Sequence, residues 1–158
     1  MVLRVHRTSR GAVGSSTAGY SATGYGGGRS LAYLGTLLEE CRTAGMRIDL
    51  AAALPDPAAI PPELGRHTYR VVQEGLTNAS KHAPGQPGRL AVTGQPGRGL
   101  HIEIANDTST APPEVPVPGA GVGLIGLRER VEMLGGSLDD GTDSTGRHRL
   151  RASIPWPA

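Results

Sequence analysis

The sequence predicts an α+β fold of two layers, an α/β sandwich in which one mixed sheet carries one layer of helices. Two observations point there. Three stretches repeat apolar residues at helical spacing, and about five short stretches alternate apolar with polar residues at strand spacing. Three helices with about five mostly antiparallel strands suit one sheet covered on one face.

Residues 1–29 are rich in Gly, Ser, Thr and Arg and read as a disordered segment, with an ordered domain over 30–158. Leu31, Leu34, Leu37, Leu38 and Cys41 make the first helical stripe, and Gly45 is a natural stop. Met46, Ile48 and Leu50 alternate as a half-buried strand. Pro55 to Pro62 form a connector, and Pro62 is placed to open the second helix. That helix carries Leu64, Thr68, Val71, Val72, Leu76, Ala79 and Ala83 at core spacing and ends at Pro84-Gly85. Leu90 and Val92, then Leu100, Ile102 and Ile104, alternate on two strands joined by the turn Gly94-Gln-Pro-Gly97. Asp107 to Gly121 is a long Pro-, Thr- and Gly-rich loop of the kind that often serves as a lid. Leu124, Leu127, Val131 and Leu134 define the third helix, closed by Gly135-Gly136. Two strands around 137–139 and 149–154 finish the chain, with Leu150, Ala152 and Ile154 alternating.

Composition excludes several classes. The 158 residues suit one domain. Four Tyr, one Trp and no Phe leave few stacking platforms for single-stranded nucleic acid. A net charge of +2 without a basic block favours neither nucleic acid nor a membrane surface. The single Cys41 excludes an internal disulfide and a multi-cysteine zinc site, and its apolar neighbours make it a core residue. No apolar run approaches the roughly 20 residues of a membrane span, and the N-terminus lacks the apolar stretch of a secretory signal. These features predict a soluble, cytoplasmic chain.

The run Tyr69 to Ala83 holds a second stripe. Glu74, Asn78, Lys81 and His82 are helix-surface neighbours that place a carboxylate, a carboxamide, an ammonium and an imidazole together. Asn and His are poor choices for a helix that needs only solubility. The mixture suits a metal-bound polyphosphate, although a plain solvated face gives the same pattern. About 40 residues on, Gly121-Val-Gly123-Leu-Ile-Gly126 spells GxGxxG. A dinucleotide fingerprint would follow a buried strand inside a βαβ unit, whereas Pro112 to Pro118 precede this one. A kinase glycine loop and a P-loop lack their companion motifs. Glycines opening a helix still let backbone N–H groups approach phosphate oxygens, with the helix dipole assisting.

Two motifs together resemble a known family. Tyr69-Arg-Val-Val-Gln-Glu-Gly-Leu-Thr-Asn-Ala-Ser-Lys-His-Ala resembles the N box of sensor histidine kinases that partner NarL-type response regulators. Gly123-Leu-Ile-Gly-Leu-Arg-Glu-Arg-Val-Glu-Met-Leu-Gly-Gly resembles their second glycine box and the helix after it. The resemblance covers about residues 30–156. It implies the Bergerat (GHKL) ATP-binding fold and a protein-histidine kinase catalytic domain using ATP and Mg²⁺. Asn78 then matches the asparagine that coordinates Mg²⁺, and Glu74 the acid one turn earlier that orients the attacking group. Lys81 and His82 match positions near the phosphates. Gly121, Gly123, Leu124 and Gly126 match the glycine segment that closes the lid. The implied partners are a hairpin domain carrying the phosphoacceptor histidine and, through it, a NarL-type regulator.

The chain departs from the family in two places. The first glycine box normally opens with an aspartate that accepts from the adenine amino group. Here Asn106 takes that place by register, Asp107 takes it after a one-residue shift, and both glycines are gone. An Asn oxygen also accepts such a bond, without the charge. None of His6, His67, His82, His101 or His148 has the setting of a phosphoacceptor histidine. The chain is thus either an excised ATPase domain or a naturally short protein, with a monomer expected. The alternatives are a degenerate, non-catalytic ATPase-like module and a serine kinase of the anti-sigma type.

Overall fold

The structure, a computed structural model, describes residues 3–4, 29–54, 56–107 and 122–158. Six strands form one sheet: β1 (Leu3–Arg4), β2 (Arg47–Ala53), β3 (Pro87–Gln95), β4 (Gly99–Asp107), β5 (Ser137–Thr142) and β6 (Arg147–Ile154). Three α-helices cover it: α1 (Leu34–Thr43), α2 (Pro62–His82) and α3 (Val122–Met133). The spatial order is β1-β2-β3-β4-β6-β5. Only β2 and β3 run parallel, because α2 carries the chain across between them; every other pair is antiparallel. This is the two-layer α+β sandwich expected, with a mixed sheet.

Pro62 is the first residue of α2, where its missing N–H costs nothing and its fixed φ suits a helix. The helix faces the sheet through Leu64, Val71, Val72 and Leu76, all buried against Leu90, Val92, Ile102 and Ile104. On β4 the even-numbered side chains Leu100, Ile102, Ile104 and Asn106 are buried, while His101 is exposed and Glu103 and Asp107 are half-buried. Strand alternation explains this: successive side chains point to opposite faces. The outer face is laced by ion pairs between register partners, Glu103 with Arg151 at 2.8 Å and Asp107 with Arg147 at 2.6 Å.

Three expectations shift, and a fourth falls outside the described residues. Within 1–29, expected to be disordered, Leu3–Arg4 pair with Ala51 and Ala52 and add a sixth strand; β2 offers the unpaired backbone edge that makes this possible. Arg29 is also placed, bonded to Glu40 at 3.0 Å, and the other residues of that segment lie outside the described ones. The hairpin turn falls at 96–98, because Gly94 stays in the ladder opposite Leu100 and Gly97 takes the positive φ of 76°. Strand β6 begins at Arg147, two residues earlier than alternation of its apolar residues indicated. The loop expected to act as a lid lies, from 108 to 121, outside the described residues. Among the described residues, no helix is long and apolar enough to cross a membrane.

Candidate functional site

Helix α2 carries two adjacent stripes toward one end of the sheet. Glu74, Asn78 and His82 stand four residues apart, as do the small residues Gly75, Ala79 and Ala83. Small side chains let the helix approach β4 closely. At Gly75 a Cβ would overlap the Ile104 Cδ1 methyl. The glycine therefore fixes the helix-to-sheet spacing, despite costing roughly 1 kcal/mol of helix propensity relative to Ala.

A cavity of about 250 Å³ opens between α2, α3 and the strands β4 and β6. The small residues and Asn78 and His82 of α2 form one wall. Ile104 and Asn106 of β4, with His148 and Leu150 of β6, form the floor, and Leu124 of α3 closes a side. Two larger grooves, about 490 and 590 Å³, lie across the outer sheet face and beside the chain end at Trp156. They are shallow and hold none of the motif residues, so the smaller, better enclosed cavity is the candidate site.

Helix α3 meets α2 at the mouth of this cavity. A Cβ on Gly123 would lie 3.3 Å from Asn78 Oδ1, 3.4 Å from Glu74 Oε1 and 3.5 Å from Asn78 Nδ2. The two oxygens therefore converge on the backbone of the first turn of α3, where N–H groups have no helical partners. Two carboxamide atoms in this region are buried without partners: Asn78 Nδ2 and Asn106 Oδ1. Asn106 as a whole is 5% exposed, so its vacant acceptor is costly in the absence of a donor from outside the chain.

The structure thus brings together Glu74, Asn78, His82, Asn106, Gly123 and Leu124. It leaves others out. Lys81 is exposed and lines no part of the cavity. Asp107 points to the outer sheet face and is held by Arg147, so the one-residue shift is excluded by strand parity and Asn106 alone faces the cavity. Gly126 is exposed, and a Cβ there would meet nothing within 4 Å. Gly121 lies outside the described residues. Sequence reasoning missed Gly75 and His148. A glycine inside a long helix was the signal for the first. For the second it was the alternation of Leu150, Ala152 and Ile154, which one more step backward extends to His148.

The site's chemistry fits a divalent hard cation carried by a polyphosphate. Among the described residues no group of three or more His, Cys, Asp or Glu could hold a metal by itself. Mg²⁺ commonly takes one or two protein oxygens and completes its shell with phosphates and water. Asn78 Oδ1 and Glu74 Oε1, gathered at the start of α3, match that requirement.

No model of a known protein family matches the chain. The chain is 27% identical over 112 residues to the sensor histidine kinase YxjM of Bacillus subtilis, matching 71% of this chain and 26% of that protein. It is 40% identical over 89 residues to the signal transduction histidine-protein kinase/phosphatase UhpB of Salmonella typhimurium, matching 56% of this chain and 16% of that protein. It therefore spans only about a quarter or less of these relatives' length. Among solved structures, the blue-light activated histidine kinase of Erythrobacter litoralis superposes with a TM-score of 0.59 at 25% identity, covering 80% of this chain and 42% of that one. The ATP binding domain of PrrB from Mycobacterium tuberculosis gives 0.53 at 18% identity, covering 81% of this chain and 94% of that one, a likeness of fold. The fold is that of histidine-kinase ATP-binding domains, and the two relatives similar in sequence are both histidine kinases.

Proposed function

We propose that this chain is the ATP- and Mg²⁺-binding catalytic domain of a cytoplasmic two-component sensor histidine kinase. It hands the γ-phosphate to a histidine on a separate hairpin domain or chain, which in turn serves a NarL-type response regulator. The observation that carries the reading is the convergence at Gly123: the start of α3 meets Glu74 and Asn78 backbone-first, at the rim of a cavity floored by a vacant acceptor.

Each residue has a part that follows from its placement. At about 250 Å³ the cavity is at the small end of ligand sites, which span roughly 300–1,000 Å³. It suits a base and its sugar, with the phosphates leading out toward α3. Asn106 Oδ1 would accept from the base's exocyclic amino group, and Ile104, Leu150 and Leu124 would pack on its faces. The first-turn N–H groups of α3, which have no intrahelical partner, would bind phosphate oxygens, helped by the helix dipole. Asn78 would hold Mg²⁺, which supplies neutralisation of the phosphate charge. Phosphoryl transfer depends chiefly on such positioning and neutralisation. Glu74, exposed at the mouth, would orient the incoming acceptor and take its proton.

The test is Asn78→Ala. It should abolish Mg²⁺-dependent binding of a non-hydrolysable ATP analogue while leaving the melting temperature near that of the parent. Unchanged affinity would sink the assignment. The neutral Asn106 favours a second reading, a non-catalytic ATPase-like module that regulates a partner. Robust phosphotransfer from this chain to a separately supplied hairpin domain would reject it.

A further inference from the structure

An asparagine in place of a carboxylate raises a question of orientation. A carboxylate presents only acceptors, but a carboxamide presents an acceptor on one side and a donor on the other. Turned one way, Asn106 accepts from a 6-amino purine; turned the other, it donates to a 6-oxo purine. Its orientation here is set from outside the cavity. Asn106 Nδ2 donates to the backbone carbonyl of Asp107 at 3.4 Å, which leaves Oδ1 buried and vacant.

Asp107 is the last residue of β4 and pairs in register with Arg147, the first residue of β6. Arg147 Nε donates to Asp107 Oδ1 at 2.6 Å on the outer face, so the ion pair clamps the terminal rung of the ladder. The residue whose side chain is clamped, Asp107, is also the one whose backbone carbonyl accepts from Asn106. One rung inward, Asn106 faces His148, the other polar residue of the floor.

We infer that the Asp107–Arg147 ion pair is a specificity device: it fixes the Asp107 carbonyl, which turns Asn106 Oδ1 toward the base and selects 6-amino over 6-oxo purine nucleotides. Arg147 is a positioning residue that acts through Asp107 and touches no nucleotide. The inference rests on the nucleotide-binding reading and deepens it.

The experiment measures dissociation constants of the whole chain for Mg·ATP, Mg·ITP and Mg·tripolyphosphate. ITP exchanges the 6-amino group for an oxygen, and tripolyphosphate reports the phosphate end alone. The parent should prefer ATP by about tenfold. Arg147→Ala should cut that preference at least threefold and leave tripolyphosphate binding unchanged. Adding Asn106→Asp to Arg147→Ala should restore the preference, because an acceptor-only side chain has no orientation to lose; a merely structural role for Arg147 would not be rescued this way. An unaltered ATP-to-ITP ratio in Arg147→Ala overturns the inference, as does a loss shared equally by tripolyphosphate. If the parent binds none of the three, the nucleotide reading itself fails.

Discussion

Gly123 meets Asn78 with bare backbone: the position a Cβ would take is 3.3 Å from Asn78 Oδ1, closer than most real Cβ contacts. The contact joins the two segments that stood out separately in the sequence, and it makes a side chain at 123 an intruder in the site. Gly123→Ala should leave the fold intact or slightly firmer, since Ala is favoured over Gly in a helix by roughly 1 kcal/mol. Nucleotide binding should move the opposite way. We expect Mg·ATP affinity to fall by about tenfold, or about 1.4 kcal/mol, with Gly123→Val more severe. Calorimetric titration beside thermal melting checks both; a parallel loss of stability and affinity would point to misfolding instead.

Gly75 sets a different spacing, that of α2 over β4. A methyl at 75 would overlap Ile104 Cδ1, so Gly75→Ala should destabilise by about 1–3 kcal/mol despite its better helix propensity. Ile104→Val removes that very carbon, at its own cost of about 0.5–1.5 kcal/mol. The double variant should be more stable than the sum of the two single effects predicts. Urea denaturation of all four proteins measures the coupling, and simple additivity would show that the clash is relieved elsewhere.

His82 and Lys81 are neighbours in sequence but not in role. Both are exposed, but His82 lines the cavity and Lys81 lines none of it. His82→Ala should weaken Mg·ATP binding several-fold. Lys81→Ala should change it by less than about threefold at physiological salt, where charges beyond about 8 Å are largely screened. Equal losses for both would place the phosphates further along α2 than the cavity indicates.

What the sequence made legible was whatever depends on local period. Leu64, Val71, Val72 and Leu76 announce α2, and Pro62 marks its first residue. The parity of Leu100, Ile102 and Ile104 decides between Asn106 and Asp107, once β4 is known to run unbroken to its end. Features made by contact between distant segments stayed hidden. Nothing near Gly75 names Ile104, 29 positions away, as the atom that demands a glycine. His148 escaped because three arginines at 147, 149 and 151 disguise the first rungs of β6 as a charged turn. The two residues of β1 pair with an edge that only the assembled sheet provides.

Asp143 gives the fold a defined acid sensitivity. In the turn between β5 and β6 its carboxylate accepts from the Thr145 hydroxyl and from the backbone N–H groups of Thr145 at 2.8 Å and Arg147 at 3.1 Å, and it faces Arg149 at 2.7 Å. These partners, the Thr145 hydroxyl foremost, hold its carboxyl far below the ordinary value of 3.8, with desolvation opposing them. A depressed pKa in the folded state favours folding above the unfolded value and loses that contribution as the pH falls toward the folded one. Asp143→Asn should therefore lower the urea midpoint at pH 7, and Thr145→Val should act in the same direction. The gap between parent and Asp143→Asn should narrow steadily below about pH 4, where the carboxyl takes up its proton in the unfolded chain before it does in the folded one. A gap that stays constant from neutral pH into that acid range would mean that the turn is held by the backbone alone.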